Sequence, residues 1–279
     1  MLDKILIELV QWRQSRSGIV NPPMAVFSAD HVGNVISLFG LYEERELTCL
    51  AAHVFPGLQH GECLDIGANI GNHSRYFAKA FNHVHCFEVN PDVLAILRFN
   101  TSKFDNISIH PLAASSENGS LNFEIQRHGN VGASSVVNTG EVLVNPMTVD
   151  AVAIDSVRQK LNICDVSFVK LDIEGHELEA LKGMTEILAD SSPVIAFECN
   201  DRPYGMQMRN FLEENQYTYF YEMSFKHRLS RNRLIRNLKR LCNALHLASF
   251  DLSFQLKSLP PAFVPVSSLI VAAKNSLLK

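Results

Sequence analysis

The sequence predicts an α/β protein built on a mostly parallel sheet with helices on both faces. Short apolar runs rich in β-branched residues alternate with segments whose apolar residues recur at helical spacing. Four strand ends carry the groups of interest: Asp65 with a glycine loop, Glu88, Ala113-Ala114-Ser115, and Asp172 with Glu174. A parallel sheet gathers its ligands at the carboxyl ends of its strands, so the repeat fits. The 279 residues are 47% hydrophobic and 19% charged, enough for a sizeable core and too apolar for disorder. They read as a single domain, with 1–60 as an N-terminal cap, 61–224 and 263–279 as the core, and 225–262 as a basic helical insertion.

In order, residues 1–15 read as a short amphipathic helix with Ile5, Leu6, Leu9 and Trp12 on one side. After the Asn21-Pro22-Pro23 break, Ala25-Val26-Phe27 and residues 35–39 bracket residues 30–34 as a hairpin. A helix is expected over 43–54. Cys63-Leu64-Asp65-Ile66 is the first core strand, and its loop opens a helix over 72–81 with Tyr76, Phe77 and Ala80 inward. Residues 84–88 form the second strand. Asn90-Pro91-Asp92 starts a helix reaching about Asn100, since proline and an acid both suit a first turn. Residues 107–109 are the third strand, and Asn118-Gly119 predicts a hairpin turn returning along 121–125. Further strands are expected over 149–154, 193–200, 217–223 and 268–273, with 166–175 as a strand-to-loop unit and helices from Asp155, over 176–188 and over 205–215.

Several classes are disfavoured. The net charge of −4 makes no global case for nucleic-acid binding. The first ten residues are interrupted by Asp3 and Glu8 and do not read as a secretory signal. No uncharged apolar run reaches the ~18 residues of a membrane span. The six scattered cysteines read as free thiols in a reducing, cytoplasmic setting. In 225–262, Lys226, Arg228, Arg231, Arg233, Arg236, Lys239 and Arg240 occur beside Leu234, Leu238, Leu241 and Leu245. A helix with a solvated basic face explains them, and the sharper reading is a patch, 226–240, for an acidic substrate, an acidic carrier or peripheral contact with an anionic membrane surface.

The loop Asp65-Ile66-Gly67-Ala68-Asn69-Ile70-Gly71 carries the chemistry. Its glycines permit a tight turn and a close backbone approach. A dinucleotide site needs G-x-G-x-x-G, but the second and third glycine positions are Asn69 and Asn72. An acid before the loop repels a pyrophosphate and suits a cation. S-adenosylmethionine (SAM) is cationic at sulfur and carries no phosphate. Glu88, at the end of the second strand, suits a ribose diol. An NAD(P)-dependent oxidoreductase and a non-catalytic SAM-binding or interaction module are the competing readings.

These motifs, with Val169-Lys170-Leu171-Asp172-Ile173-Glu174-Gly175-His176-Glu177 and Leu181-Lys182-Gly183, resemble the FkbM family of SAM-dependent methyltransferases. The resemblance runs from about Gly40 to Asn200. It implies a Rossmann-like class I methyltransferase fold, seven-stranded with the last strand antiparallel, and O-methylation of hydroxyls on sugars, glycans or natural products. By position it assigns Asp65, Gly67, Ala68, Asn69 and Gly71 to the methionine part of SAM, Glu88 to the ribose, and Ala113 and Ala114 to the adenine.

Methyl transfer gains much from alignment of acceptor oxygen, methyl carbon and sulfur. A weakly acidic hydroxyl also needs a base. Asp172 and Glu174 lie two apart on an expected extended segment and share a face. Either is a candidate base; His176 is another, and the three are alternatively ligands for a divalent metal. Ser134, Ser135, Glu198, Asn200 and His31 are weaker candidates for contacts to cofactor or acceptor.

Overall fold

The computed structural model describes residues 8, 11–12, 23–28, 30–58, 61–124, 135–136, 146–227, 252–266 and 268–278. Residues 8, 11 and 12 are helical, and Trp12 is exposed instead of packed into a core. The cap then supplies α1 (His31–Phe39), α2 (Glu44–His53) and a 3₁₀ turn at Phe55–Gly57. Next come β1 (Glu62–Ile66), α3 (Asn72–Phe77), β2 (His83–Phe87), α4 (Pro91–Thr101) and β3 (Ile107–His110). They are followed by β4 (Ala113–Ala114), β5 (Gly119–Glu124), β6 (Ser135–Val136), β7 (Pro146–Val152) and α5 (Ile154–Val157). The chain continues through β8 (Val166–Leu171), α6 (Glu177–Lys182), α7 (Thr185–Asp190), β9 (Val194–Cys199) and α8 (Arg202–Glu214). It ends with β10 (Tyr219–His227), β11 (Leu252–Ser258) and β12 (Ser268–Ala273).

The main sheet has eight strands in the order β11-β10-β12-β9-β8-β1-β2-β3. Neighbours from β9 to β3 run parallel. The strand β12 runs antiparallel between β9 and β10, as expected of the last strand. The extra edge strand, β11, corrects the seven-strand expectation. It pairs with β10 over Tyr221–His227, so parts of the 225–262 segment are strand and not helix. Residues 228–251, most of the basic segment, lie outside the described residues.

The sheet's two faces carry separate cores. Leu47, Leu50, Phe77, Phe81, Leu94 and Leu97 cover one face, against Cys63, Phe168 and Ala196. Leu181, Met184, Ile187, Leu188, Met208 and Leu212 cover the other, against Leu64, Val169 and Ile195. Alternation along a strand therefore places Asp65, Lys170 and Glu198 on the first face, in line with Cys63, Phe168 and Ala196.

Four local expectations fail for physical reasons. His31–Phe39 forms a helix and not a hairpin arm: Asp30 Oδ2 accepts from Gly33 N (3.0 Å), and Gly40 ends the helix at φ 88°. The predicted 112–125 hairpin is absent, because β4 and β5 each pair with β7. Asn118 instead accepts from Ala153 N and Ser156 Oγ (2.9 Å each). The helix over 176–188 is two helices, separated at Gly183, where a Cβ would lie 1.9 Å from the Ser115 carbonyl oxygen. Helix α3 stops at Phe77, and Ala80 is exposed.

Candidate active site

The loop after β1 is folded by its own polar groups. Gly67 N and Ala68 N donate to the Phe87 carbonyl (3.0 and 3.1 Å), and Gly71 N donates to the Ala68 carbonyl (3.0 Å). Asn69 N donates to Glu88 Oε2 (3.0 Å) and Ile70 N to Asn69 Oδ1 (2.7 Å). All five N–H groups from Gly67 to Gly71 are thus taken within the protein. A pyrophosphate would need such donors free, so the dinucleotide reading loses its anchor. The glycines admit protein, not ligand. At Gly67 (φ 81°) a Cβ would sit 1.9 Å from the Asp172 carbonyl oxygen, and at Gly71 (φ 86°) 2.8 Å from Leu97 Cδ1.

Two pockets flank this loop. The first is lined by residues of β1, β2, β4 and β5 and of the loops that follow β1, β2 and β8. Its apolar wall includes Ile66, Phe87, Val93, Leu112 and Phe123, together with Ala113 and Ala114. Its polar groups are Asn69, Glu88, Asn90, Asp172 and His176. Glu88 Oε1 accepts from Val89 N and Asn90 N (2.8 and 2.9 Å), so with Asn69 three backbone donors hold the carboxylate. Burial raises its pKa against those hydrogen bonds. An ionised carboxylate has about four acceptor positions, which leaves roughly one for a ligand where the sequence suggested two. Asn90 Oδ1 caps α4 by accepting from Asp92 N (3.1 Å). Its Nδ2 is buried with no hydrogen-bond partner among the described residues. A mostly apolar slot with a held carboxylate and an unused amide donor fits an adenosine.

The second pocket lies across the loop and is lined by Tyr42, Glu43, Ala68, Asn72, His73, Lys170, Asp172, Glu174 and Glu198, among others. Lys170, buried in β8 opposite Asp65 of β1, is the group that sequence reasoning missed. Its Nζ donates to Asp172 Oδ2 at 2.9 Å and lies 3.9 Å from Asp65 Oδ1. Burial alone would lower the Lys170 pKa, but Asp172 and Asp65 outweigh it and hold the ammonium charged. Burial likewise raises Asp172, and Lys170 overturns this and keeps it ionised. The signal was present: a lysine between Val169 and Leu171 in a buried strand needs a charged partner.

Residues ahead of β1 also line this pocket. Tyr42 N donates to Asn72 Oδ1 (3.1 Å) while Asn72 Nδ2 donates to the Tyr42 carbonyl (2.9 Å). That clamp presents Glu43, at φ 54°, whose Oε2 lies 3.1 Å from His73 Nε2. Burial raises Glu43, but His73 and Lys170 bring it below the usual carboxylate range. Glu198 is pushed up to about 8 by burial, then by Asp172 and Glu43.

The expected site residues therefore divide. Gly67, Asn69 and Asp172 line both pockets. Glu88, Ala113, Ala114 and His176 line only the first, and Ala68 and Glu174 only the second. Asp65 and Gly71 line neither. Asp65 is fully buried, accepts from Ser74 Oγ (2.6 Å) and faces Lys170. The supposed catalytic trio is split. His176 Nε2 sits 3.1 Å from Ser115 Oγ on the first-pocket side, and burial lowers its pKa. Glu174 is exposed on a bend at φ 50°, not on an extended segment, and its pKa is raised by burial and by Asp172. That bend is tied by Glu177, whose carboxylate accepts from Ile173 N and Gly175 N (3.1 Å each). His31 opens α1 and meets the Tyr42 ring edge-on at 6.0 Å. Asn200 is exposed beyond β9, Ser135 lies in β6, and Ser134 is outside the described residues. Among the described residues, no group of three or more His, Cys, Asp or Glu is arranged to hold a metal ion.

Comparison with known proteins adds to this geometry. The model of the methyltransferase FkbM domain matches residues 65–219. The chain is 29% identical over 203 residues to the hexuronic acid methyltransferase AglP of Haloferax volcanii, covering 69% of this chain and 81% of that protein. A crystal structure of a methyltransferase FkbM from Methylobacillus flagellatus aligns with 95% of this chain at 16% identity and a TM-score of 0.45. This chain spans only 58% of that protein. The putative methyltransferase SMU.1697c of Streptococcus mutans, solved with SAH, aligns with 80% of this chain and 96% of its own at 10% identity and a TM-score of 0.36. With a matched segment of more than half the chain, holding the β1 loop, Glu88, the Lys170–Asp172 pair and Glu198, the protein belongs to the FkbM family of methyltransferases.

Proposed function

We propose that this SAM-dependent methyltransferase acts on a hydroxyl of a sugar or glycan. The observation that carries the reading is that the two pockets share Gly67, Asn69 and Asp172 as a common wall. A donor in one and an acceptor in the other would meet over Asp172, which is the alignment a direct displacement needs. When bound, SAM supplies an electrophilic methyl group. Glu88 and Asn90 hold the adenosine end, and Phe87, Leu112 and Phe123 exclude water from it. Asp172, fixed by Lys170, would present a carboxylate to the cationic donor from the shared wall. Tyr42, Glu43 and His73 face the acceptor. The sugar class is drawn from the relative that acts on a hexuronic acid.

No helix among the described residues is long and apolar enough to cross a membrane. The free thiols Cys49, Cys63, Cys86 and Cys199 are buried, which supports a cytoplasmic, reducing setting. Calorimetric titration with SAM and S-adenosylhomocysteine should show binding of both. Isotopically labelled SAM should then label a panel of hexosides and hexuronides. Binding of neither cofactor form would sink the donor assignment, and label only on non-sugar acceptors would sink the acceptor class.

A further inference from the structure

We propose that Glu198 is the group that takes the proton from the acceptor hydroxyl. The inference rests on the methyl-transfer reading above and deepens it. Its first support is placement. Lys170 of β8 pairs in register with Ala196 of β9. Two residues further along each strand direction come Asp172 and Glu198, on the sheet face that bears the second pocket, and both line it.

The second support is elimination among the carboxylates near this wall. Asp172 is bound to Lys170 at 2.9 Å, and Asp65 accepts from Ser74 at 2.6 Å. Glu43 faces His73 at 3.1 Å, Glu88 is held by backbone N–H groups, and Glu177 ties the loop after β8. Glu174 projects from an exposed bend. Glu198 is half-buried, and no hydrogen bond or ion pair engages its carboxylate among the described residues. It is therefore available to a ligand at no loss of an internal contact.

The third support is its surroundings. Asp172 and Glu174 face it from the β8 loop, Glu43 and Tyr42 from the cap, and Lys170 offsets them in part. Burial and these negative neighbours push Glu198 up to about 8. A base works best when its pKa lies near the working pH. In the step, the acceptor O–H bond breaks to Glu198 as its oxygen bonds the methyl carbon, and the C–S electron pair stays on sulfur. A carboxylate and a sulfonium become a neutral acid and a neutral thioether, so opposite charges vanish together in a poorly solvated pocket.

The test uses the full chain and three readouts. In the unliganded protein, an infrared carboxylic C=O band should fade as the pH rises through about 8, and Glu198→Gln should lack it. Glu198→Gln should bind SAM as the wild type does in calorimetry, yet lose about 10²-fold or more of kcat on a glycoside that the wild type labels. Glu198→Asp, which keeps a carboxylate, should recover part of that loss and shift the alkaline-rising limb of the kcat profile. The inference is overturned by wild-type kcat in Glu198→Gln, by loss of SAM binding in parallel with rate, or by an infrared band that Glu198→Gln leaves in place. If the wild type binds SAM but labels no glycoside, the acceptor class fails, and the infrared titration still judges Glu198.

Discussion

The two pockets meet at one wall but are built differently. The adenosine-side pocket is lined by apolar side chains of the β1, β2 and β4–β5 region, and Glu88 is held there by backbone donors. The acceptor-side pocket instead collects Glu43, Asp172, Glu174 and Glu198 around Lys170 and His73. Its walls also have a different origin. Val32, Tyr42 and Glu43 come from the cap, before the family-matched segment begins at residue 65. Backbone-held polar groups need little from side-chain identity and suit a ligand common to a family. A wall recruited from outside the shared segment suits the part of the reaction that differs between members, the acceptor.

Lys170 is the place where both pockets should fail together. Lys170→Met leaves buried Asp65 and the partly exposed Asp172 without a countercharge; a fully buried pair costs about 3–5 kcal/mol to break, and the exposure of Asp172 reduces this to about 2–3 kcal/mol. Urea unfolding should show a loss of that size, and residual folded protein should bind SAM and acceptor poorly. A variant of wild-type stability would mean the wall is not held by this lysine. Glu88→Gln should separate the pockets. It replaces a carboxylate that accepts three backbone N–H bonds and should weaken SAM binding about 10- to 100-fold. At saturating SAM the acceptor KM should not move. The mirror experiment is Glu43→Gln, expected to raise the acceptor KM about tenfold through lost contact and altered His73 pairing. Its SAM dissociation constant should match the wild type. If Glu43→Gln changes SAM affinity and spares the acceptor, the assignment of the two pockets is reversed.

What could be read from the sequence follows the same division. The strand ends at Asp65, Glu88, Asp172 and Glu198 are local features, because a strand's direction decides where its last polar residue lies. The placement of these groups along one sheet edge was legible for that reason. The acceptor side depends on contacts between residues far apart in sequence. Asp65 meets Lys170 only through the β1–β8 register, and Tyr42 reaches the pocket only through its clamp on Asn72. No periodicity carries that information. One misreading was nevertheless avoidable. Asp30 and Gly40 are an N-cap and a C-terminal glycine at helix spacing, which outweigh an alternating apolar pattern between them. Asn118-Gly119 has hairpin composition, but the Asn118 side chain is engaged by Ala153 and Ser156 across the small sheet.

Asn90 offers the finest test of the adenosine-side pocket. Its side chain has two ends with separate duties: Oδ1 caps α4 through Asp92 N, and Nδ2 is buried at the pocket wall without a partner among the described residues. A buried amide donor left unpaired costs about 1–3 kcal/mol, so a ligand acceptor that reaches it regains stability on binding. Asn90→Ser retains an N-cap oxygen, and serine caps about as well as asparagine. Unfolding stability should therefore stay within about 0.5 kcal/mol. The same variant removes the donor, and SAM affinity should fall about threefold to tenfold, the worth of one neutral hydrogen bond. The acceptor KM should be untouched, since Asn90 does not line the second pocket. Lower stability with unchanged affinity would place Asn90 in the fold alone, and the unpaired Nδ2 would then be a standing cost that the cofactor does not relieve.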